Sequence, residues 1–287
     1  MKKLFTLLFF LSATTIPAAL AQHASCCTKP SEVSQTFAML VSTDKKFVMD
    51  HANPLPYTHQ SEVGKMITFT TADGQTGKGY ELKASKKSNN YLFVYQEWWG
   101  LNDHIKKEAE SYYNDLKQEV NVIAVDLYDG KVAASREDAM KYVQGVKPAR
   151  LENIIKGAQS YAGPQAKIAS IGWCFGGMWS LQSAIITGKQ NVGCVMFYGM
   201  PEKEVARLKT LNSDVLGFFA TEKMISQEVV QQFDANMKQA GKKLTYKIYD
   251  APHAFANPSN PDYNKQFATE THQQAVKYFT GKFKLKA

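Results

Sequence analysis

The sequence predicts an α/β domain built on a mostly parallel central sheet with helices on both faces. Short apolar, β-rich runs alternate with longer segments of helical spacing from residue 91 onward, and such alternation produces parallel strands joined by helices. A hairpin pattern precedes them. The composition, 44% hydrophobic and 21% charged, is that of an ordinary globular protein.

The predicted elements begin with the hairpin, whose strands cover residues 66–71 and 79–83 around an Ala72-Asp73-Gly74 turn. Further strands are predicted at residues 91–96, 120–126, 167–172, 192–198, 215–220 and 244–249. Helices are predicted at residues 103–119, 136–161 with an interruption near Pro148, 177–187, 203–209, 227–240 and 263–280. The hairpin therefore adds antiparallel strands to one edge of the sheet.

Residues 1–21 have the pattern of a signal peptide. Lys2 and Lys3 form a positive start, residues 4–11 are an almost unbroken apolar run, and Ala19-Leu20-Ala21 fits a cleavage site before Gln22. The apolar run is too short for a permanent membrane anchor. We therefore expect export to the periplasm or beyond, with a buried N-terminal helix as the alternative.

Residues 22–60 are expected to form an N-terminal extension, and residues 61–287 the α/β domain. Short helices are expected at residues 34–42 and 45–51, before a proline-rich break. His23-Ala24-Ser25-Cys26 loosely resembles a lipoprotein processing site, so lipid anchoring at Cys26 is an alternative to a soluble exported chain. Otherwise Cys26 and Cys27 form a vicinal disulfide or remain free.

Several function classes are excluded by composition and spacing. The formal net charge of +8 is spread over several lysine clusters without a recognisable nucleic-acid-binding motif, so it indicates solubility and no nucleic acid partner is expected. The sequence has no H-E-x-x-H, no cysteine–histidine metal spacing, no phosphate loop and no dinucleotide fingerprint, so neither metal nor cofactor is expected. Four cysteines in 287 residues do not make a disulfide scaffold. Cys194 is predicted to be a small buried hydrophobe.

The segment Gly172-Trp173-Cys174-Phe175-Gly176-Gly177 lies between a predicted strand and a predicted helix. A nucleophile on such a sharp turn has a strained backbone, and side chains two residues before and after it would collide, which explains Gly172 and Gly176. The helix N-terminus also favours a thiolate. Cys174 is therefore the predicted nucleophile. The alternative is an inert buried cysteine between packing glycines.

Two further residues are predicted to complete a triad with Cys174. His253 follows the last predicted strand, and loops at the carboxyl ends of parallel strands gather at one edge of a sheet. Glu222 is the first acid after the preceding strand, which gives the order nucleophile, acid, histidine. Glu222 would orient His253 and stabilise its imidazolium form. The alternative for Glu222 is a solvated surface glutamate.

Glu97 and Trp98 follow the first predicted parallel strand, in the segment Gln96-Glu97-Trp98-Trp99-Gly100. This loop lies where the second amide of an oxyanion hole arises in hydrolases with such a turn. In the alternative interpretation, the tryptophans are packing residues and Glu97 is an edge charge.

Together these residues resemble the dienelactone hydrolase family, a branch of the α/β-hydrolases that uses cysteine. The resemblance covers about residues 66–279. It is carried by Gln96-Glu97-x-x-Gly100-x-Asn102, Asp126-Leu127-Tyr128, Gly172-x-Cys174-x-Gly176-Gly177 and His253-x-Phe255.

The resemblance implies the α/β-hydrolase fold and a triad of Cys174, His253 and an acid. It implies an oxyanion hole made by the backbone amides of Phe175 and Trp98. It also implies that Glu97 contacts the resting thiol until substrate binding releases an active thiolate.

The chain departs from the family pattern at three places. The family's acid is normally aspartate, whereas this chain offers Glu222 in a segment one residue shorter. The two arginines that hold a substrate carboxylate in dienelactone hydrolases are replaced by Asp129-Gly130 and by Asn257. A chlorinated dienelactone is therefore not the expected substrate.

The function expected from the sequence is hydrolysis of a small-molecule ester or lactone through a thioester acyl-enzyme on Cys174. A broad carboxylesterase or thioesterase is an alternative within the same chemistry. A non-catalytic exported binding or thiol-sensing protein is the alternative of another class. The sequence leaves the natural substrate and the oligomeric state open, and membrane contact is expected only if Cys26 is lipidated.

Overall fold

One eight-stranded sheet forms the centre of the structure. Its strands are β1 (Gly64–Thr70), β2 (Thr76–Leu82), β3 (Asn90–Tyr95), β4 (Asn121–Asp126), β5 (Lys167–Trp173), β6 (Asn191–Phe197), β7 (Val215–Ala220) and β8 (Leu244–Tyr249). They lie in the order β1-β2-β4-β3-β5-β6-β7-β8. The hairpin of β1 and β2 pairs antiparallel with β4, and the other pairings are parallel. The predicted fold class is confirmed.

The structure, a computed structural model, describes Met1 and residues 32–286. The predicted cleavage site and both Cys26 and Cys27 lie outside the described residues, as does the signal peptide apart from Met1. Among the helices of the described part, none is long and apolar enough to cross a membrane.

Helices cover both faces of the sheet. They are α1 (Val33–Thr43), α2 (Lys45–Asp50), α3 (Asp103–Asp115), α4 (Arg136–Gly145), α5 (Pro148–Ala162), α6 (Phe175–Thr187), α7 (Val205–Leu208), α8 (Gln227–Gln239) and α9 (Lys265–Phe283). On one face, Ser170 of β5 donates a hydrogen bond to the backbone oxygen of Ser180 in α6. On the other, the ring of Trp173 in β5 lies 6.3 Å from that of Tyr112 in α3, since residues an odd number apart on a strand point to opposite faces.

Some helix ends differ from the predicted ones for local reasons. The end of α3 comes earlier than predicted because Lys117 and Gln118 take left-handed φ angles of 58° and 57°. Pro148 begins α5, where its missing N–H costs no helical hydrogen bond, so the region 136–161 forms two helices. α6 begins at Phe175 rather than at residue 177, which places the helix N-terminus directly beside Cys174.

Residues 33–51 form α1, α2 and the histidine that follows, and we call this segment the N-terminal cover. Its apolar side chains point down onto the carboxyl edge of the sheet. The ring of Phe37 lies 5.7 Å from that of Phe175, and the ring of Phe47 lies 5.9 Å from that of Trp98. The cover therefore packs over the residues that the sequence assigns to the site.

Polar contacts fix both helices of the N-terminal cover to α4. Gln144 donates through Nε2 to Ser42 Oγ at 3.1 Å. Arg136 donates through Nη2 to the backbone oxygen of Met49 at 3.1 Å and through Nε to that of His51. The guanidinium of Arg136 thus holds the end of α2 and the backbone of His51 in place.

Candidate active site

Cys174 occupies the sharp turn between β5 and α6. Its φ of 53° and ψ of −117° lie in a region that residues other than glycine rarely adopt. Backbone hydrogen bonds hold the turn in place. Cys174 N donates to the Phe197 carbonyl oxygen at the end of β6, at 3.0 Å, and Met178 N donates to the Cys174 carbonyl oxygen at 3.1 Å. The side chain is thereby raised at the carboxyl edge of the sheet.

The glycines beside Cys174 are required by close backbone approach. A Cβ on Gly172 would lie 2.1 Å from the Gly176 carbonyl oxygen, and a Cβ on Gly176 would lie 2.2 Å from the Tyr95 carbonyl oxygen. Both distances are far below van der Waals contact. The steric reason expected from the sequence is therefore present, and it also brings the end of β3 against the start of α6.

The loops after β7 and β8 meet, so that Glu222 reaches His253. Their backbones are joined where Thr221 N donates to Ala251 O at 2.9 Å. His253 Nδ1 lies 2.9 Å and 3.0 Å from the two carboxylate oxygens of Glu222, and Nδ1–H is therefore the donor of this ring. The other ring nitrogen, Nε2, is left to face the interior of the site.

The Cys174 sulfur and His253 are both buried, with 1% and 9% of their surface exposed. Sγ and a ring nitrogen of His253 belong to a group of donor atoms that lie within 4.8 Å of one another. The order nucleophile, acid, histidine read from the chain thus corresponds to three side chains gathered at one place.

Burial and mutual attraction act in opposite directions on the Cys174–His253 pair. Burial raises the pKa of the Cys174 thiol, and the positive charge of His253 and the Phe175 N–H act against that rise. Burial alone would lower the pKa of His253, but the negative charges of Glu222 and Cys174 raise it well above its usual value. The thiolate form of Cys174 and the imidazolium form of His253 therefore stabilise each other, and burial of the sulfur opposes this.

Glu97 lies in the same site and is bound by a residue that the sequence did not single out as functional. Its side chain is 6% exposed, and Asn257 Nδ2 donates to Glu97 Oε2 at 2.6 Å. Burial raises the pKa of Glu97 to about 7, while His253 and Asn257 act to lower it. Asn257 thus occupies a family arginine position and contacts Glu97 instead.

The resemblance implies that Glu97 contacts the resting thiol, and Glu97 lies near enough to Cys174 to act on it by its charge. Within the described residues Glu97 makes no hydrogen bond to Cys174, and its Oε1 has no hydrogen-bond partner. Its influence on the sulfur is that of a nearby negative charge, which raises the pKa of the thiol.

The backbone amide of Phe175 interacts with the Cys174 sulfur, and Trp98 lies on the loop that follows β3. The Phe175 N–H, first in α6, stabilises the thiolate form of Cys174 by a hydrogen bond. Trp98 follows the end of β3, which the close approach of Gly176 to the Tyr95 and Gln96 carbonyls places beside the same helix start. The indole ring of Trp98 is fully buried. These positions are those that the sequence assigned to an oxyanion hole.

His51, at the end of the N-terminal cover, is a site residue that the sequence analysis did not identify. It is 3% exposed, and its ring centroid lies 4.9 Å from that of His253. Its Nδ1 lies 2.6 Å from the Phe47 carbonyl oxygen. Burial, followed by the charge of His253, lowers the pKa of His51 to about 3, so the ring is neutral. The sequence places His51 at the end of a short predicted helix and gives no indication of its burial or its partner.

The remaining residues named from the sequence lie away from this site. Cys194 is fully buried as predicted, with its sulfur 3.4 Å from Ser180 Oγ. Asp129, at the other family arginine position, forms an ion pair with Arg150 at 2.6 Å. A further histidine, His272 on α9, also lies outside the site, where it is partly exposed and pairs with Asp115 at the end of α3.

A family model with the description "Dienelactone hydrolase family" matches residues 79–283 of the chain. A putative carboxymethylenebutenolidase of Aquifex aeolicus is 22% identical over 229 residues, which cover 76% of this chain and 98% of that protein. Another putative carboxymethylenebutenolidase, of Saccharolobus solfataricus, is 28% identical over 250 residues, covering 74% of this chain and 96% of that protein.

Solved structures with related names have the same fold. A putative dienelactone hydrolase of Klebsiella pneumoniae superposes with a TM-score of 0.63 at 20% identity, covering 77% of this chain and all of that one. A dienelactone hydrolase-like promiscuous phosphotriesterase from metagenomic libraries superposes with a TM-score of 0.64 at 22% identity, covering 76% of this chain and 98% of that one. At such identities the likeness concerns the fold alone.

Proposed function

The chain belongs to the dienelactone hydrolase family and is a hydrolase acting on esters or lactones, and from that premise we propose that Cys174, His253 and Glu222 form its catalytic triad. One observation carries the proposal. Both carboxylate oxygens of Glu222 lie within hydrogen-bond distance of His253 Nδ1, so the opposite nitrogen, Nε2, is directed into the site that holds the sulfur. This is the arrangement in which an acid fixes the tautomer and orientation of a general base.

In the first half of the reaction, His253 takes the thiol proton and the Cys174 sulfur attacks the substrate carbonyl. The carbonyl π electrons move to oxygen, and the amides of Phe175 and Trp98 stabilise the resulting oxyanion. As the tetrahedral intermediate collapses, the bond to the leaving oxygen breaks and His253 returns the proton to that oxygen. The products of this half are a thioester on Cys174 and the free alcohol, or the opened chain in the case of a lactone.

In the second half, His253 removes a proton from a water molecule, and the resulting hydroxide adds to the thioester carbonyl. Collapse of this second intermediate expels the Cys174 sulfur, which regains its proton from His253. The carboxylic acid leaves. Glu222 stabilises the imidazolium that forms twice in each cycle, because its carboxylate contacts Nδ1 throughout.

The polar groups around the sulfur favour an uncharged substrate over a carboxylate-bearing one. Asn257 binds Glu97, and Asp129 binds Arg150, so neither family arginine position offers a cation to the site. The buried Glu97, in its ionised form, disfavours an anionic substrate group by charge repulsion, and burial already raises its pKa to about 7. We therefore include neutral esters and lactones in the proposal and leave chlorinated dienelactones out.

The proposal also requires that the N-terminal cover move. Cys174 is 1% exposed, and Phe47 and His51 lie directly over His253 at ring distances of 5.5 Å and 4.9 Å. A substrate carbonyl must lie next to the sulfur in order to react. The reaction cycle therefore includes a movement of α2 away from the sulfur, which occurs either before the substrate arrives or as the substrate binds.

Intact-protein mass spectrometry after brief exposure to p-nitrophenyl esters, thioesters and lactones tests the triad. We expect an added acyl mass on the wild-type chain, located on Cys174 by peptide mapping, and none on Cys174→Ala. Cys194→Ser is the matched control and should acylate normally. Hydrolysis that is unchanged in both Cys174→Ala and Cys174→Ser would overturn the thiol mechanism. No adduct and no turnover on any substrate of the panel would instead support a non-catalytic thiol protein.

A further inference from the structure

Three side chains with metal-binding atoms, from distant parts of the sequence, converge at the centre of the site. His51 comes from the N-terminal cover, Cys174 from the turn before α6, and His253 from the loop after β8. Sγ and one ring nitrogen of each histidine lie within 4.8 Å of one another, and all three residues are buried. We propose that they form a three-ligand site for a thiophilic divalent cation of the Zn²⁺ type.

The hydrogen bonds behind the two imidazoles orient them as metal ligands. His51 Nδ1 lies 2.6 Å from the Phe47 carbonyl oxygen, and His253 Nδ1 lies 2.9 Å from a Glu222 oxygen. Since both partners are acceptors, each Nδ1 carries the proton and donates it. Imidazoles that bind metals nearly always donate their second N–H to a carbonyl or carboxylate in this way. Nε2 of each ring is left for a ligand.

Those two Nε2 atoms are not both satisfied. Both are buried, and within the part of the chain that the structure describes His253 interacts with the Cys174 thiol, whereas His51 Nε2 has no hydrogen-bond partner. The single proton of the thiol can serve one nitrogen at a time. Catalysis requires one imidazole next to the sulfur, so the triad explains His253 but not His51. A cation would satisfy both nitrogens and the sulfur together.

Distances and charge are compatible with such an ion. Tetrahedral Zn²⁺, with bonds of about 2.3 Å to sulfur and 2.0–2.1 Å to nitrogen, needs donor atoms roughly 3.3–3.6 Å apart. The three donors, within 4.8 Å, reach this by small side-chain rotations. The two positive charges balance the Cys174 thiolate and the Glu222 carboxylate behind His253. Three protein ligands leave a fourth position for water, as in sites that exchange their ligands.

Binding of the ion would have a consequence for access to the site. His51 belongs to the N-terminal cover and the other two ligands belong to the α/β domain, so the ion would join the two parts across the sulfur. With its lone pairs engaged, Cys174 is no longer a free nucleophile. We therefore expect the ion to inhibit hydrolysis reversibly. The binding itself goes beyond the proposed function, because it requires no turnover.

The test uses the full chain, reduced and stripped of metal with a chelator. Because Cys26 and Cys27 also bind thiophilic ions, a Cys26→Ser/Cys27→Ser variant provides the background. We expect this variant to bind one equivalent of Zn²⁺, measured by competition with a chromophoric chelator. His51→Gln should weaken the binding by at least about 100-fold, since it removes a ligand and the loss of an outer contact alone costs 10–100-fold. His272→Gln is the matched control and should bind Zn²⁺ as the background does.

Co²⁺ in place of Zn²⁺ gives a second readout that does not depend on the His51 variant folding. A sulfur-to-cobalt charge-transfer band should arise in the near ultraviolet, persist in Cys194→Ser and vanish in Cys174→Ser. A band that survives Cys174→Ser, or Zn²⁺ binding that is equally tight in a folded His51→Gln, would show that the ion binds elsewhere. Absence of binding at millimolar Zn²⁺ would also overturn the proposal. Ester hydrolysis by the metal-free chain is measured separately, so failure of the metal site and failure of the triad give different results.

Discussion

The contact between Glu222 and His253 depends on the length of one side chain. In the loop after β7 this chain has Glu222, where the family resemblance implies an aspartate. Both carboxylate oxygens reach Nδ1, at 2.9 Å and 3.0 Å. A glutamate at this position is therefore long enough to reach His253. The replacement is no reason to assign the chain to a non-catalytic class.

We predict that Glu222→Gln lowers kcat/KM for an ester substrate by about 100-fold or more, because an amide neither fixes the Nδ1–H tautomer nor stabilises the imidazolium. The kcat/KM of Glu222→Asp should lie between those of Glu222→Gln and the wild type, since the shorter side chain lies farther from His253 Nδ1. Steady-state kinetics with a p-nitrophenyl ester checks both. Glu228→Gln is the control and should retain activity, since Glu228 is an exposed acid in the first turn of α8 that accepts a hydrogen bond from Ser226. Equal rates for Glu222→Gln and wild type would exclude Glu222 from the triad.

The N-terminal cover is a short amphipathic segment, and its packing against the α/β domain supplies its stability. α1 buries Phe37 and Val41, and α2 buries Phe47, while the intervening residues Ser42, Thr43 and Lys45 are exposed. Helices of this length are marginal without tertiary contacts. The segment is therefore the part of the described structure best suited to open without unfolding the sheet.

We predict that Phe47→Ala increases the rate at which iodoacetamide alkylates Cys174 by about tenfold or more. The ring of Phe47 contacts His253 and Trp98, at centroid distances of 5.5 Å and 5.9 Å. Loss of a buried phenylalanine costs about 3 kcal/mol or more, and here that cost lowers the free energy needed to open the cover. Lys45→Gln, on the exposed side of α2, is the control. A rate unchanged by Phe47→Ala would mean that the reagent reaches the sulfur by another route.

For the molecule as a whole, the sheet is the rigid part on which the site is built. Every residue of β4 and of β7 is buried, as expected of strands covered by helices on both faces. The carboxyl ends of β5, β7 and β8 place the turn of Cys174 and the loops of Glu222 and His253 at one edge. Folding also buries His51 as a neutral ring, and this couples the stability of the molecule to pH.

The pKa of His51 is about 3 in the folded protein and 6.5 in the unfolded chain. Between these values the unfolded state binds the proton more readily, so the stability from this group is complete above pH 6.5 and is lost as the pH falls. The loss is about 1.4 kcal/mol per pH unit. We predict that the free energy of unfolding of metal-free wild type, relative to His51→Gln, decreases by ~2 kcal/mol between pH 7.5 and pH 5. Urea unfolding at both pH values measures it, and an unchanged difference would contradict a neutral buried His51.

The sequence by itself determined the parts of this protein that have short-range patterns. The strands and helices follow from hydrophobic periodicity and from the residues that begin and end each element. The turn of Cys174 follows from the spacing of the glycines that a strained nucleophile requires. The chain order of Cys174, Glu222 and His253 was also sufficient to anticipate their meeting, because parallel strands bring their following loops to one edge. Each of these conclusions needs only local spacing or the general rule of a parallel sheet.

Only the tertiary structure decided which residues surround Cys174, Glu222 and His253. The pairing of Asn257 with Glu97 depends on how two loops fold against each other, and no spacing in the chain encodes it. The placement of His51 over the sulfur has the same cause. An amphipathic helix shows which of its faces is buried, but its docking partner is chosen by the shapes and charges of surfaces that exist only after the sheet has formed.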